Sequence, residues 1–439
     1  MRNFLIGVLL FWFLIIGLIL QDGKAREAAS MAGVGESAKN RVEVVFWHAM
    51  GGPLGNVMND LIDRFNRSQT TYFIKGIPMG SYDTLAKKLL ASLVAKSAPD
   101  IAQNYETLTK KFIKHRKIVC LDDFLASEPE NIKADIIPVL LENNTFDGKL
   151  WSFPFNKSVP VLYYSKELFR QAGLDPEKPP QTLTELASYA RQITRHFTPP
   201  QGGRPTVMGF ATGKANVWMF LCRVMQFGGR LIGERGDTSH FHEPASVRAV
   251  SYIQEMVKEG IAVEAQGFDH QNDFKAQRVA MIENSIVSKV HMESGLKFEY
   301  GIAPLPGEAT RAVILSGSNI NIFDNGNPDK IKGAWEFIKW FTSTDIGAEW
   351  SVRTTYVPVR TSSLRSPVLV SALEKDPNLR APYQELAYIA FEPRLSCWFE
   401  IRDLMADVLE RATLEMGDPA IYMKEMSSNI DGILRHNPD

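Results

Sequence analysis

Few residues of this sequence are of a type and in a place to do chemistry, and each has a second use. His48 closes the apolar run Val42 to Trp47 and could serve as a general base, whereas a histidine at a strand end is more often a hydrogen-bonded structural residue. Glu106 follows a short apolar run and could act as an acid; its carboxylate equally suits the first turn of a helix, where the macrodipole favours negative charge. Tyr82 and Tyr356 each offer a ring and a hydroxyl, fit for a pocket wall or for the core with a wet tip. Arg394, in the irregular Glu392-Pro393-Arg394-Leu395-Ser396, could fork its guanidinium onto an anion or be solvated. The sequence contains no Gly-x-Ser-x-Gly, Gly-x-x-x-x-Gly-Lys-Ser/Thr, Gly-x-Gly-x-x-Gly or His-Glu-x-x-His. With no activated nucleophile and no His/Cys cluster at zinc spacing, a hydrolase resting on His48 and Glu106 lacks the groups to act through. No catalytic residue, metal or cofactor is expected.

The elements that must position these residues alternate strand and helix. Val42 to Trp47 and Thr71 to Ile77 read as strands, as do Pro99 to Gln103, Val207 to Ala211 and Val279 to Glu283. Helical spacing marks Val57 to Phe65, Tyr82 to Val94, Pro244 to Lys258 and Pro328 to Phe341. Such alternation predicts an α/β fold with mostly parallel sheets flanked by helices, in which a ligand sits beyond the carboxyl ends of the strands. That rule selects His48 to Gly55, Gly80-Ser81-Tyr82 and Asn104 to Thr107.

Phe153 to Ser165 combines a polar, proline-led start, Phe-Asn-Lys-Ser, with an apolar run that reads as a buried strand, as if the chain crossed from one compact unit into another. Val313 to Ile320 and Tyr356 to Arg360 are candidates for further crossings. At 439 residues the chain exceeds one ordinary core, so two lobes are expected. The boundaries expected are residues 42–155 with 317–362 for the first lobe and 156–316 with 363–439 for the second.

Hydrophobic residues at 45% and a net charge of −1 match an ordinary globular protein and give no electrostatic case for nucleic acid or a membrane surface. Met1-Arg2-Asn3 and the uncharged run Phe4 to Leu20 have the form of a secretory signal, or of an uncleaved anchor, over residues 1–25, with a flexible tether to residue 41. Cys120, Cys222 and Cys397 are far apart and read as buried thiols, with one disulfide at most.

Phe46-Trp47-His48-Ala49-Met50, Gly80-Ser81-Tyr82, Ala98 to Glu106, Phe153 to Ser158 with Val161 to Tyr164, Ala172 to Pro180, Ala348-Glu349-Trp350 and the surroundings of Arg394 resemble the periplasmic solute-binding proteins of ABC importers. Within them the likeness is to the branch that takes sn-glycerol-3-phosphate. The resemblance implies two hinged α/β lobes of the periplasmic binding protein type, and a monomer that captures sn-glycerol-3-phosphate or glycerophosphodiesters for permease subunits in the inner membrane. Carried over by position, the ligand contacts it implies are Tyr82, Glu106, Ser158, Trp218, Ser285, Gly317, Tyr356 and Arg394, the last holding the phosphate. Lys157 replaces the first of two serines in the family pattern and would add a cation to the cleft. Gly213 to Val217 lacks a second tryptophan usual there, and Ser316 replaces a glycine. A neutral oligosaccharide is the alternative ligand.

Overall fold

The computed structural model describes residues 40–437; the signal-like run and nearly all of the expected tether lie outside the described residues. Among the described residues no helix is long and apolar enough to cross a membrane.

Two five-stranded sheets form the frame. β1 (Val42–His48) pairs in parallel with β2 (Tyr72–Pro78) and β3 (Ile101–Asn104). The crossover helices are α1 (Gly52–Ser68) and α2 (Tyr82–Val94), and α3 (Glu106–Lys114) follows β3. The amphipathic spacing of α1 is used as expected: Val57, Leu61, Ile62 and Phe65 are all buried. β4 (Phe153–Ser158) completes one edge of this first sheet.

The second sheet comprises β5 (Pro160–Ser165), β6 (Met208–Gly213), β7 (Ala262–Ala265), β8 (Val279–Ser285) and β9 (Tyr300–Pro304), in the order β9-β5-β8-β6-β7. The chain then returns through residues 305–315 to β10 (Ser316–Ile322), which lies between β3 and β4. The stretch Phe153 to Ser165 is thus two strands, one in each sheet, with Val159 as the step between them.

Strand direction follows from these crossings. In each sheet four strands run one way, with carboxyl ends at the gap between the sheets, and one runs against them. The reversed strands are β5, antiparallel to β8 and β9, and β10, antiparallel to β3 and β4. Each is the strand by which the chain arrives from the other sheet. A chain that leaves one sheet at the gap must start its next strand at the gap, and so runs away from it. The sheets are therefore mixed at the level of pairing and mostly parallel in direction.

The third passage does not lie at Tyr356 to Arg360. That segment stays on the first sheet: Val357 N donates to Lys157 O at 2.8 Å and Ile137 N to Val359 O at 3.0 Å. The chain meets the second sheet further on, where Ile302 N donates to Asn378 Oδ1 at 2.8 Å. The reason is pairing: the Val357 N–H finds a partner on β4, so this extended stretch is held at the hinge.

Phe155 anchors the first sheet. It is 1% exposed and meets Phe46, Phe341 and Trp350 at centroid distances of 6.0, 4.7 and 6.1 Å. Phe155→Ala is expected to cost about 3–5 kcal/mol through the cavity it leaves, read as an earlier urea midpoint by far-UV circular dichroism; a shift under about 1 kcal/mol would mean that the three rings close over the gap.

Candidate functional site

Six of the eight strands that run toward the gap deliver their following loop to it. From the first sheet come Ala49, Met50 and Leu54 after β1, Tyr82 after β2, and Tyr105 and Glu106 after β3. From the second come Asn216 and Trp218 after β6, Phe268 and Gln271 after β7, and Val287, Ser288 and His291 after β8. Local capping aims several of them. Ser81 Oγ accepts from Thr84 N and starts α2 at Tyr82. Asn216 Oδ1 accepts from Met219 N and starts α4 (Val217–Gln226) with Trp218 in its first turn.

The gap holds two adjoining cavities. The larger, about 560 Å³, is lined by Tyr82, Ser158, Ser285, Gly317 and Tyr356. The smaller, about 300 Å³, is lined by Glu106, Trp218 and Gly317. Both touch Tyr105, Ser316 and Gly317, so they are two ends of one cleft. Their size suits a small polar ligand.

A buried polar layer beneath the cleft fixes its floor. Ser318 Oγ donates to Asn156 Oδ1 at 2.5 Å, and Asn156 Nδ2 donates to the Tyr82 hydroxyl. Tyr82 and Tyr356 face each other at 3.5 Å between hydroxyls, and the Tyr356 ring stacks on Trp350 with planes 4° apart. Burial raises the pKa of both hydroxyls, so they remain protonated donors. Ser158 and Ser285 hydroxyls meet at 2.6 Å across the β4–β5 step. Trp218 Nε1 donates to Ile314 O at 2.8 Å, which fixes its indole on the cleft wall. Gly317 has φ +92°, and a Cβ there would lie 1.8 Å from Asn156 O; only glycine allows the two strands to approach so closely.

Three expected residues are elsewhere. Arg394 lines neither cavity: its Nη1 donates to Glu142 O at 3.0 Å and Thr145 O at 2.8 Å, and its guanidinium lies 5.2 Å from the Phe146 ring centroid. The guanidinium at the cleft is Arg402, on the helix Trp398–Glu415, paired with Glu392. Lys157 also turns away. Strand alternation puts Asn156 and Ser158 on one face of β4 and Lys157 on the other, where it is 1% exposed and donates to Asn143 Oδ1 at 2.9 Å. His48 lines neither cavity; it is buried, accepts from Met50 N at 3.3 Å, and burial lowers its pKa to about 4, so it stays neutral.

Residues that sequence reasoning does not single out also line the cleft: Phe268, Lys275, His291, Asp83 and Phe399. Tyr105 lies in a selected loop, and its ring is 5.4 Å from Tyr82. Phe268 is 74% exposed, and a lone aromatic in a polar loop is its only signal.

A cleft between two α/β lobes, reached by repeated crossings and lined at strand carboxyl ends, defines a two-lobed receptor for a small solute. The model of the bacterial extracellular solute-binding protein family matches residues 60–381, and the chain belongs to that family. It is the solute-binding component of an ABC importer. The sn-glycerol-3-phosphate-binding periplasmic protein UgpB of Yersinia enterocolitica is 29% identical over 345 residues, covering 73% of this chain and 75% of that protein. UgpB of Pectobacterium atrosepticum is 26% identical over 372 residues, covering 80% and 81%. Among solved structures, UgpB from Mycobacterium tuberculosis in complex with glycerophosphocholine superposes with a TM-score of 0.80 at 24% identity, covering 90% of this chain and 98% of that one. The cyclic alpha-maltosyl-1,6-maltose binding protein from Arthrobacter globiformis gives 0.77 at 22%, covering 90% and 100%. At these identities the structural likeness speaks for the fold.

The burial of Lys157 couples the stability of the fold to pH. Burial pulls its pKa from 10.5 to about 8, with the Glu106 charge acting against the shift. The folded protein releases the proton near 8 while the unfolded chain keeps it up to about 10.5, so stability rises with pH between those values and is lower below them. Lys157→Met is expected to raise stability at pH 7, by up to about 3 kcal/mol, and to flatten the rise above pH 8 in urea unfolding; an unchanged pH slope would place the titration elsewhere. Gly317→Ala is expected to lower the melting temperature by several degrees through steric strain at the β4–β10 contact; a melting temperature within one degree of wild type would show that the strands can separate without loss.

Proposed function

We propose that this cleft captures sn-glycerol-3-phosphate or a glycerophosphodiester in the periplasm and delivers it to the importer's membrane permease, the amino-terminal apolar run serving for export and the receptor acting as a monomer. The observation that carries this reading is the convergence at one cleft of the Ser158, Ser285, Tyr82 and Tyr356 hydroxyls, the Glu106 carboxylate and the backbone at Gly317. Glycerol hydroxyls need such acceptors and donors, and a phosphate oxygen accepts from hydroxyl and backbone N–H groups. The relatives named as glycerol-3-phosphate-binding proteins support the same ligand class.

A neutral oligosaccharide is the second reading, favoured by the rings of Tyr105 and Trp218 on the wall and by the maltose-type receptors that share the fold. Salt separates the two, because charged-ligand binding weakens as ionic strength rises and stacking does not. In a thermal-shift screen, sn-glycerol-3-phosphate or glycerophosphocholine at 100 times Kd is expected to stabilise the native form by about 2.7 kcal/mol, with the shift reduced at high salt. A shift with maltotriose and none with either phosphate would decide for the second reading. Arg394→Ala, outside both cavities, is expected to keep phosphate affinity within about threefold, or about 0.7 kcal/mol; a larger loss by calorimetric titration would bring that guanidinium into the bound state.

A further inference from the structure

Residues 389–397 form a strap that leads into the helix Trp398–Glu415 and touches both halves of the molecule. Its first residues are fixed at the return crossing: Ile389 and Ala390 pair with Val313 and Ile314, and Leu315 N donates to Ala390 O at 2.9 Å. Residues 391–395 belong to no helix or strand, so side chains set their course. Glu392 ties the strap to the second sheet's half: its Oε2 accepts from Trp398 Nε1 at 2.6 Å and its Oε1 pairs with Arg402. The helix carrying both partners is held there in turn. Gln254 Nε2, on the helix Pro244–Lys258, donates to Ala412 O at 2.9 Å, and Lys214, next after β6, lies 3.5 Å from Glu410. Arg394 reaches the other way. The two carbonyls that accept from its Nη1, Glu142 O at 3.0 Å and Thr145 O at 2.8 Å, lie at the carboxyl end of the helix Pro138–Asn144. That helix belongs to the first sheet's half, where Lys157 on β4 donates to its Asn143. The fit is specific. Nη1 has two hydrogens, one for each carbonyl, the helix end is the negative end of its dipole, and the guanidinium lies over the Phe146 ring at 5.2 Å.

We propose that Arg394 is a positioning residue for capture: by clasping the strap to the helix Pro138–Asn144 it limits how far the two lobes part in the ligand-free protein. Glu392, two residues earlier, lines the smaller cavity, so the strap runs along the edge of the cleft and the clasp lies apart from the crossings. A link placed there is stretched when the walls separate. The clasp also keeps Glu392, and the Arg402 guanidinium paired with it, at the cleft in the absence of solute. Arg394 thus acts on binding through the strap without touching the ligand, and the role holds whichever solute is bound.

Small-angle X-ray scattering of the purified full-length protein tests this, with wild type, Arg394→Ala and Arg394→Lys measured side by side. Without ligand, Arg394→Ala is expected to show a larger radius of gyration than wild type, beyond the error of the measurement. Arg394→Lys, which keeps a cation for the same carbonyls, is expected to return most of the way to the wild-type value. With saturating sn-glycerol-3-phosphate or glycerophosphocholine the three proteins are expected to coincide, because the ligand then holds the walls together. An unchanged ligand-free radius in Arg394→Ala overturns the clasp, and a large loss of phosphate affinity beside that unchanged radius makes Arg394 a ligand contact instead. An increase that persists with ligand bound also overturns it, since the variant is then loosened in general. A wild type that binds neither phosphate compound overturns the phosphate reading alone, and the ligand-free comparison still decides the clasp. Melting temperatures equal to wild type serve as the folding control for both variants.

Discussion

The architecture depends on one close backbone approach, that of Gly317 on β10 to the Asn156–Lys157 peptide on β4. A side chain at position 317 has no room there, so the two strands that carry the chain out of and back into the first sheet are locked side by side at the cleft floor. Around that lock the polar layer of Asn156, Ser318 and Gln103 holds the cleft-facing loops: Asn156 donates to Tyr82, and Gln103 Oε1 accepts from Ala49 N at 2.7 Å. The first sheet's wall of the ligand cleft is thus positioned from the floor, where Gly317 and Ser158 also line the cleft.

The direction of the strands explains why the cleft collects function. Four strands in each sheet end at the gap, and the loops after six of the eight hang into it whatever their sequence. Evolution of a new ligand preference then needs only loop changes, because the frame already points six loops at one volume. The fold shared with maltose-type receptors at low identity is consistent with that economy. Sorting of charge, with Lys275 and His291 at one end and Asp83 and Glu106 at the other, is the kind of feature that loops can acquire without disturbing either sheet.

Much of the frame is legible in the sequence, because periodicity and helix-start signals are local. The strands β1 to β3, the helices α1 and α2, and the rule that ligands lie beyond strand ends are enough to put Tyr82, Glu106 and Tyr105 near the cleft. Lys157 shows a signal that is present but easily misapplied: in a strand its neighbours Asn156 and Ser158 cannot share its face, so alternation alone sends it away from the cleft. Arg394 shows what no local pattern carries. Its carbonyl partners lie some 250 residues earlier, at Glu142 and Thr145, and only the assembled fold brings them near. Lys275 and His291 have the local pattern of solvated residues on short helices, and their role as a wall depends on where β7 and β8 end.

The reversed strands also set the order in which the two halves can be finished as the chain is made. All five strands of the second sheet lie between Pro160 and Pro304, so that sheet is complete while the first still lacks β10. Until Ser316 to Ile322 emerges, β3 and β4 have no common neighbour, and the interior of the first sheet presents two open edges. The part of the chain synthesised first is therefore the last to close, and roughly three quarters of the protein must exist before its amino-terminal half can become native.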